Sequence, residues 1–333
     1  MLVVSAHPEL DRHDTGGRHP ERPGRLAAAV EGIAAAGLSD AVVELEPRRA
    51  TRAELARVHP ERYLGLVEEF CRAGGGALDP DTVVGPGSWD TALVAAGGVL
   101  AAVDALAEGR GTAAFVAARP PGHHALAEQS MGFCMINNIA VAAAALVERG
   151  ERVLIVDFDV HHGNGTQDIF WDDPRVLYIS THEWPLYPGT GRAEETGGPQ
   201  ARGTTMNFPL PAGATGDVLL KAADEAMAPA VERFGPTWVL VSAGFDAHRA
   251  DPLARLALTA GDFADLAGRV LGFAPAPGRT VLVLEGGYDL DALRLSVGST
   301  VAAAVDHRYR PESASAGGPG AEMVDAVRRI HDI

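Results

Sequence analysis

Six short stretches, most of them runs of Val, Leu and Ile without polar alternation, read as strands: Thr112–Ala117, Arg152–Phe158, Val176–Ser180, Thr204–Phe208, Thr237–Ser242 and Thr280–Leu284. A strand with one solvated face alternates apolar and polar residues, so runs that do not alternate are buried on both faces. Helical segments separate most of them, which is the signature of a largely parallel sheet held between helix layers. Leu2–Ala6 and Ala41–Leu45 read as further short strands.

Helices are expected from Pro23 to Ala36, after the capping-box pair Thr51 and Glu54, and from Pro60 to about Ala73. Ser88 is expected to cap a long Ala-rich helix ending near Gly109. The stretch HPELDRHDTGGRHPERPGR reads as a surface loop, and YRPESASAGGPGAEM as a mobile one before a last short helix. No linker is recognised, and residues 1–333 read as a single domain.

A formal charge of −16, from 28 basic and 44 acidic residues, argues against direct binding to a nucleic-acid backbone and suits a cationic partner. Cys71 and Cys134 lie far apart and outside any Cys-x-x-Cys pattern, so neither a disulfide framework nor a thiolate metal site is expected. No segment is read as a membrane span, and Leu2–Ala6 has no basic flank or cleavage site, so it reads as a first strand and not a leader. A cytoplasmic protein is expected.

The stretch RVLIVDFDVHHGNGTQ, residues 152–167, concentrates the chemistry. If the strand continues, Asp157, Asp159 and His161 share a face, with alternate residues roughly 6.6 Å apart. A zinc-like ion holds its ligands at about 2.0–2.1 Å, so neighbours can share one ion but all three hardly can. Asp159 and His161 are therefore the expected ligands, with Asp157 behind them. Carboxylates on an apolar strand are costly unless paired or metal-bound.

In open parallel sheets, ligands bind beyond the carboxyl ends of the strands. Here those ends carry Arg119–His124, Asp157–His162, Ser180–His182, Ala243–Asp246 and Glu285–Tyr288. In RPPGHH, stiff prolines precede adjacent imidazoles that can divide proton work, although His-His also occurs on ordinary surface loops. Asp157 is placed to hydrogen-bond one of these rings and fix its tautomer. Asp246 could complete a set of two carboxylates and one imidazole with a fourth position open, or be a turn residue. Tyr288, after paired glycines, could donate to a developing oxyanion, or simply pack.

The motifs RPPGHH, GFCMINN, DFDVHHGNGTQ, YPGTG, AGFDAHRADPL and LEGGYDL, in this order and over most of the chain, resemble the histone deacetylase family, nearest to class II-like bacterial members. The resemblance implies the arginase/deacetylase fold, an α/β three-layer αβα architecture around a mostly parallel eight-stranded sheet. It implies a zinc ion, with ferrous iron the other candidate, on Asp159, His161 and Asp246. It further implies metal-activated water attacking an acetyl carbonyl, proton transfer by His123 and His124, and an oxyanion steadied by Tyr288. Asp157 would back His123, and Asn164 stands where members carry Asp or Asn behind the second His. Gly132, Phe133 and Tyr187 match positions lining an acyl-lysine tunnel. Asp81 matches a rim carboxylate, and Arg25 an exit-channel arginine. Potassium is implied near Asp157, Asp159, His161 and Ser180. Cys134 reads as buried packing.

The resemblance leaves the substrate as an acetylated lysine in a peptide or protein, or a small acetylated amine. Polyamine-selective relatives carry a Glu soon after the third ligand, where this chain has Leu253, so acyl-lysine is favoured. An arginase-like ureohydrolase with two manganese ions would lack a role for His-His and EGGY. A silent binding module would be expected to have lost a ligand or Tyr288. Oligomeric state is not indicated.

Overall fold

The computed structural model describes residues 1–46 and 48–333. Its main sheet has eight strands: β1 Leu2–Ser5, β2 Val42–Glu44, β3 Ala113–Val116, β4 Val153–Asp157, β5 Val176–Glu183, β6 Thr205–Leu210, β7 Trp238–Ala243 and β8 Thr280–Leu284. All neighbouring pairs are parallel, in the order β2-β1-β3-β8-β7-β4-β5-β6. Every residue of these strands except the short edge strand β2 is buried, as unbroken Val, Leu and Ile runs require. The helix Ala321–Ile330 packs beside the opposite edge, β6, and shields it.

Helices Gly24–Ala35, Leu290–Ala303 and Ala260–Leu271 pack side by side, as do Ser88–Ala107 and Asn138–Glu148, and the two groups flank the sheet. The helix Ser88–Ala107 corrects the expectation that nothing approaches a membrane span. At 20 residues, mostly apolar, it would suffice to cross a membrane by length and composition alone. Its apolar surface is instead buried within the fold, against β1, β3 and β8.

The strand order sets the position of the site. Strands β1–β3 build one half and β4–β6 the other, and the last two strands enter between them. The carboxyl ends of β3, β8, β7 and β4 are thus adjacent at the centre, where the direction of winding changes and the connecting loops leave a crevice.

Three local expectations are corrected. The segment before Arg25 runs over the surface as expected but is not wholly irregular or exposed: Pro8–Arg12 form a short 3-10 turn, and His13 and Glu21 are turned inward and fully buried. Burial opposes charge on Glu21, but His13 at 3.4 Å, Arg119 at 2.6 Å and Arg25 at 3.3 Å hold its carboxyl well below the usual range. Ser88 is the first helical residue rather than the cap, and its Oγ instead accepts from Gly85 N and meets His13 Nδ1 at 2.7 Å. The late Gly- and Ser-rich loop is tied down, with Ser315 bonded to Asp262 and Glu312 to His248.

Candidate active site

Strand β4 ends at Asp157, so strand alternation cannot place Asp159 and His161. Side chains capping backbone two residues onward do so instead. Asp157 Oδ1 accepts from the Asp159 N–H at 3.1 Å, and Asp159 Oδ1 from the His161 N–H at 2.9 Å. The chain curls until His161 Nδ1 lies 3.2 Å from Asp159 Oδ1 and 3.1 Å from Asp246 Oδ2. Donor atoms of Asp159, His161 and Asp246 all fall within 4.8 Å of one another. Room for the carboxylates is left by glycine: a Cβ at Gly244 would stand 2.0 Å from Asp159 Oδ2, and one at Gly286 2.0 Å from Asp246 Oδ2.

The donor set fits a divalent cation. Two buried carboxylates face one imidazole, and no Lys or Arg pairs with either of them among the described residues. Burial and the charge of Asp159 push Asp246 above the usual carboxylate range. Burial alone would depress His161, yet hydrogen bonds to Asp159 and Asp246 drive it up to about 10. The cluster therefore lacks positive charge, which a proton or a metal ion on the imidazole nitrogen can supply.

The histidine pair is built from the opposite side. Glu285, at the end of β8, accepts from the Gly122 and His123 N–H groups at 2.6 and 3.1 Å, which fixes the RPPGHH backbone. His123 Nδ1 meets Asp157 Oδ2 at 3.0 Å, and Asp157 also accepts from the Tyr178 hydroxyl. This leaves His123 Nε2 directed at the ligand cluster, 3.8 Å from Asp159 Oδ1. Although burial opposes charge on His123, Asp157 and Asp159 raise it to about 10. His124 meets Asn164 Oδ1 at 2.8 Å and is held well below its ordinary range by burial and by the charge of His123 and His161.

A cavity of about 250 Å³ leads to this cluster, lined by Asp81, His124, Gly132, Phe133, His161, Leu186, Tyr187, Leu253 and Tyr288. Phe133 has φ of 68°, an unfavourable conformation for a bulky residue. Hydrogen bonds hold it: Gly132 N to Asp81 Oδ1 at 3.0 Å and Phe133 N to Thr82 Oγ1 at 3.1 Å. The ring so presented lies edge-on to Tyr288 at 5.7 Å, while Tyr187 stands edge-on to His124 at 5.2 Å. Burial keeps the Tyr288 hydroxyl protonated, its pKa raised well above 10.

Most expected residues are therefore brought together, and the others stand behind them. Arg25 lies in the first turn of its helix and is fully buried, with Nε donating to Gly287 O at 2.7 Å and its guanidinium 5.0 Å from the Tyr288 ring. Ser180 pairs in register with Asp157, and its Oγ meets His182 Nδ1 at 2.9 Å, so this strand end backs the site without lining it. Cys134 is buried, its thiol donating to Gly132 O. Sequence reasoning gave no role to Glu285, Tyr178, Glu21 or Asp251. Only Glu285 carried a signal, a carboxylate directly after an apolar strand.

Fold and site together define a hydrolase-type centre: a triad whose donor set fits a divalent cation and an adjacent histidine pair, reached by one cavity at the centre of an all-parallel sheet. The histone deacetylase domain model matches residues 19–304. An Archaeoglobus fulgidus protein named as a probable deacetylase is 42% identical over 290 residues, 86% of this chain and 80% of that one. A histone deacetylase-like amidohydrolase of Pseudomonas aeruginosa is 42% identical over 277 residues, 81% of this chain and 71% of its own. The crystal structure of the HDA15 HD domain superposes with a TM-score of 0.91 at 33% identity, over 99% of this chain and 94% of that one. This chain belongs to the histone deacetylase family, has the arginase/deacetylase fold, and is a hydrolase of that class.

Proposed function

We propose that the protein hydrolyses the amide of Nε-acetyl-lysine, or a related acyl-lysine, releasing a carboxylate and the free amine. The observation that carries this reading is the cavity itself. It is walled by Phe133 and Tyr187, as the apolar stem of a lysine requires, and it reaches His161, whose donor atom lies within 4.8 Å of those of Asp159 and Asp246. Those three residues would hold zinc or ferrous iron, and an ion bound there supplies Lewis acidity toward the acyl oxygen and toward water.

The remaining chemistry belongs to the chain. Asp157 holds the His123 Nδ1 proton and favours the charged ring, so His123 stands beside the cluster as a fixed positive charge that suits a developing oxyanion. The Tyr288 hydroxyl donates to the oxyanion that forms as the carbonyl carbon becomes tetrahedral. His124, neutral with its Nδ1–H donated to Asn164 Oδ1, takes a proton from the attacking water on Nε2 and delivers that same proton to the departing nitrogen as the C–N bond breaks. Asp81 Oδ1 is occupied by Gly132 N, which leaves Oδ2 for an N–H of the substrate backbone at the rim. Potassium beside Asp157 and Ser180 is part of the same reading, supported by their pairing across β4 and β5. Residues 1–333 act as one unit, since the sheet draws strands from Leu2 to Leu284.

A small acetylated amine is the second reading, favoured by the charge of −16 and opposed by apolar Leu253 at the mouth. A two-metal ureohydrolase is disfavoured, because a single ligand group occurs among the described residues. The deciding experiment compares acetyl-lysine peptide, longer acyl-lysine peptides and acetylspermidine as substrates of zinc-loaded and iron-loaded protein. Higher kcat/KM on a lysine peptide is expected. Preference for acetylspermidine would reverse the order of the readings, and no amide cleavage with either ion would end both.

A further inference from the structure

Asp251 lies outside the triad and the histidine pair, yet it is 6% exposed and two of the three backbone N–H groups its carboxylate accepts from belong to cavity-lining residues. Oδ2 accepts from the Tyr288 N–H at 2.7 Å and the Asp289 N–H at 3.2 Å. Oδ1 accepts from the Leu253 N–H at 3.0 Å. Tyr288 and Leu253 both line the cavity, although they are 35 residues apart in sequence and sit on different strand connections. One buried side chain thus grips the backbone of the interior hydroxyl donor and of the rim residue.

The surrounding loop is secured so that this grip sets its shape. Asp251 N donates to His248 O at 2.9 Å. Beyond Leu253, the Arg255 N–H donates at 2.6 Å to Glu183, itself buried at the end of β5. Leu253 therefore hangs between two buried carboxylates. Tyr288 follows Gly287, whose φ of 117° gives the turn little steric preference of its own, so the bond to Tyr288 N supplies what the glycine does not.

We propose that Asp251 is a positioning residue that aligns the Tyr288 hydroxyl with the reacting carbonyl and, through the same carboxylate, sets Leu253 at the tunnel mouth. The inference rests on the Tyr288 role given above. It also explains why a carboxylate stands there. All its partners are backbone N–H donors that cannot turn round, and they approach both oxygens. An amide has one acceptor oxygen and would set an NH₂ group against an N–H on one side.

The test uses the full chain in four forms: wild type, Asp251→Asn, Tyr288→Phe and the double variant, each zinc-loaded and checked for metal content and Tm. On an acetyl-lysine peptide, Asp251→Asn is expected to lower kcat at least about tenfold while KM changes by less than about threefold. In the Tyr288→Phe background the same substitution is expected to cost less than about twofold, because the hydroxyl it positions is gone. Equal losses in both backgrounds would overturn the inference, and so would wild-type kcat in Asp251→Asn. A Tyr288→Phe variant with undiminished turnover would instead reject the role of Tyr288.

A readout independent of activity accompanies these arms. The protein has 5 tyrosines, and in 3-fluorotyrosine-labelled protein the ¹⁹F resonance lost in Tyr288→Phe identifies that ring. Asp251→Asn is expected to shift or broaden that resonance and leave the others in place. An unmoved Tyr288 signal would overturn the proposal whatever the kinetics. If Asp251→Asn does not fold, Asp251→Glu retains charge and acceptors but displaces them by one methylene, and the same changes in kcat and in the ¹⁹F signal are required of it.

Discussion

His124 turns Nδ1 to the side-chain oxygen of Asn164 at 2.8 Å, so the acceptor behind this ring is neutral, whereas the one behind His123 is the Asp157 carboxylate. The two adjacent imidazoles, their centroids 4.1 Å apart, are thereby made unequal in basicity. Asn164 Nδ2 points to Met131 Sδ at 3.4 Å, which fixes the orientation of the amide.

Asn164→Asp should reduce that inequality. A carboxylate beside the ring favours imidazolium, so the limb of the kcat/KM profile belonging to His124 should move to higher pH by about one to three units. Profiles of wild type and variant on one peptide check this, and superimposable profiles would count against any proton role for His124.

Tyr288→Phe keeps the ring that packs on Phe133 and removes only the hydroxyl. Loss of about 10²–10³ in kcat is expected, with bound metal unchanged. Asp246→Asn should do the reverse at the start of the chain of events, lowering bound divalent ion in elemental analysis before any assay is run. Full metal content in Asp246→Asn would remove it from the ligand set.

Leu253→Glu adds a second carboxylate to a mouth where Asp81 is the only acidic side chain lining the cavity among the described residues. The ratio of kcat/KM for acetylspermidine to that for acetyl-lysine peptide should rise at least about tenfold, the change expected of roughly 1.4 kcal/mol of new attraction. An unchanged ratio would show that substrate choice is made elsewhere.

His59 supplies a pH-dependent contribution to stability away from the metal ligands. Its Nδ1 meets Ala127 O at 3.0 Å and its Nε2 accepts from the Asn137 N–H at 3.0 Å, so a second proton has no acceptor. Burial lowers its pKa to about 4 from 6.5. Below pH 6.5 the unfolded chain binds a proton that the folded one refuses, so stability present above that pH is lost as pH falls toward 4, by about 3 kcal/mol. Urea midpoints of wild type and His59→Gln, measured from pH 4 to 7.5, should differ by a constant amount above pH 7. Below pH 6.5 the wild type should lose ground, and a constant difference throughout would refute the assignment.

Local sequence determined the strands and the order in which reactive residues arrive. All eight main-sheet strands were legible, because a run such as Val153–Val156 has no amphipathic alternative and its period needs no partner to be recognised. The ligand and histidine motifs were legible for a related reason, since unusual residues sit directly after those runs. Tertiary structure alone decided which strand ends meet: β7 and β8 enter the middle of the sheet, which no local pattern reveals. It also decided how Asp159 and His161 converge once β4 has ended, and that Glu21, on a segment that otherwise runs over the surface, is turned inward between Arg25 and Arg119. Asp251 belongs here too, as a carboxylate in a loop looks alike whether it faces water or the N–H of Tyr288. Periodicity and turn chemistry act over a few neighbouring residues, whereas burial, charge compensation and hydrogen bonding between distant segments exist only after the chain has closed on itself.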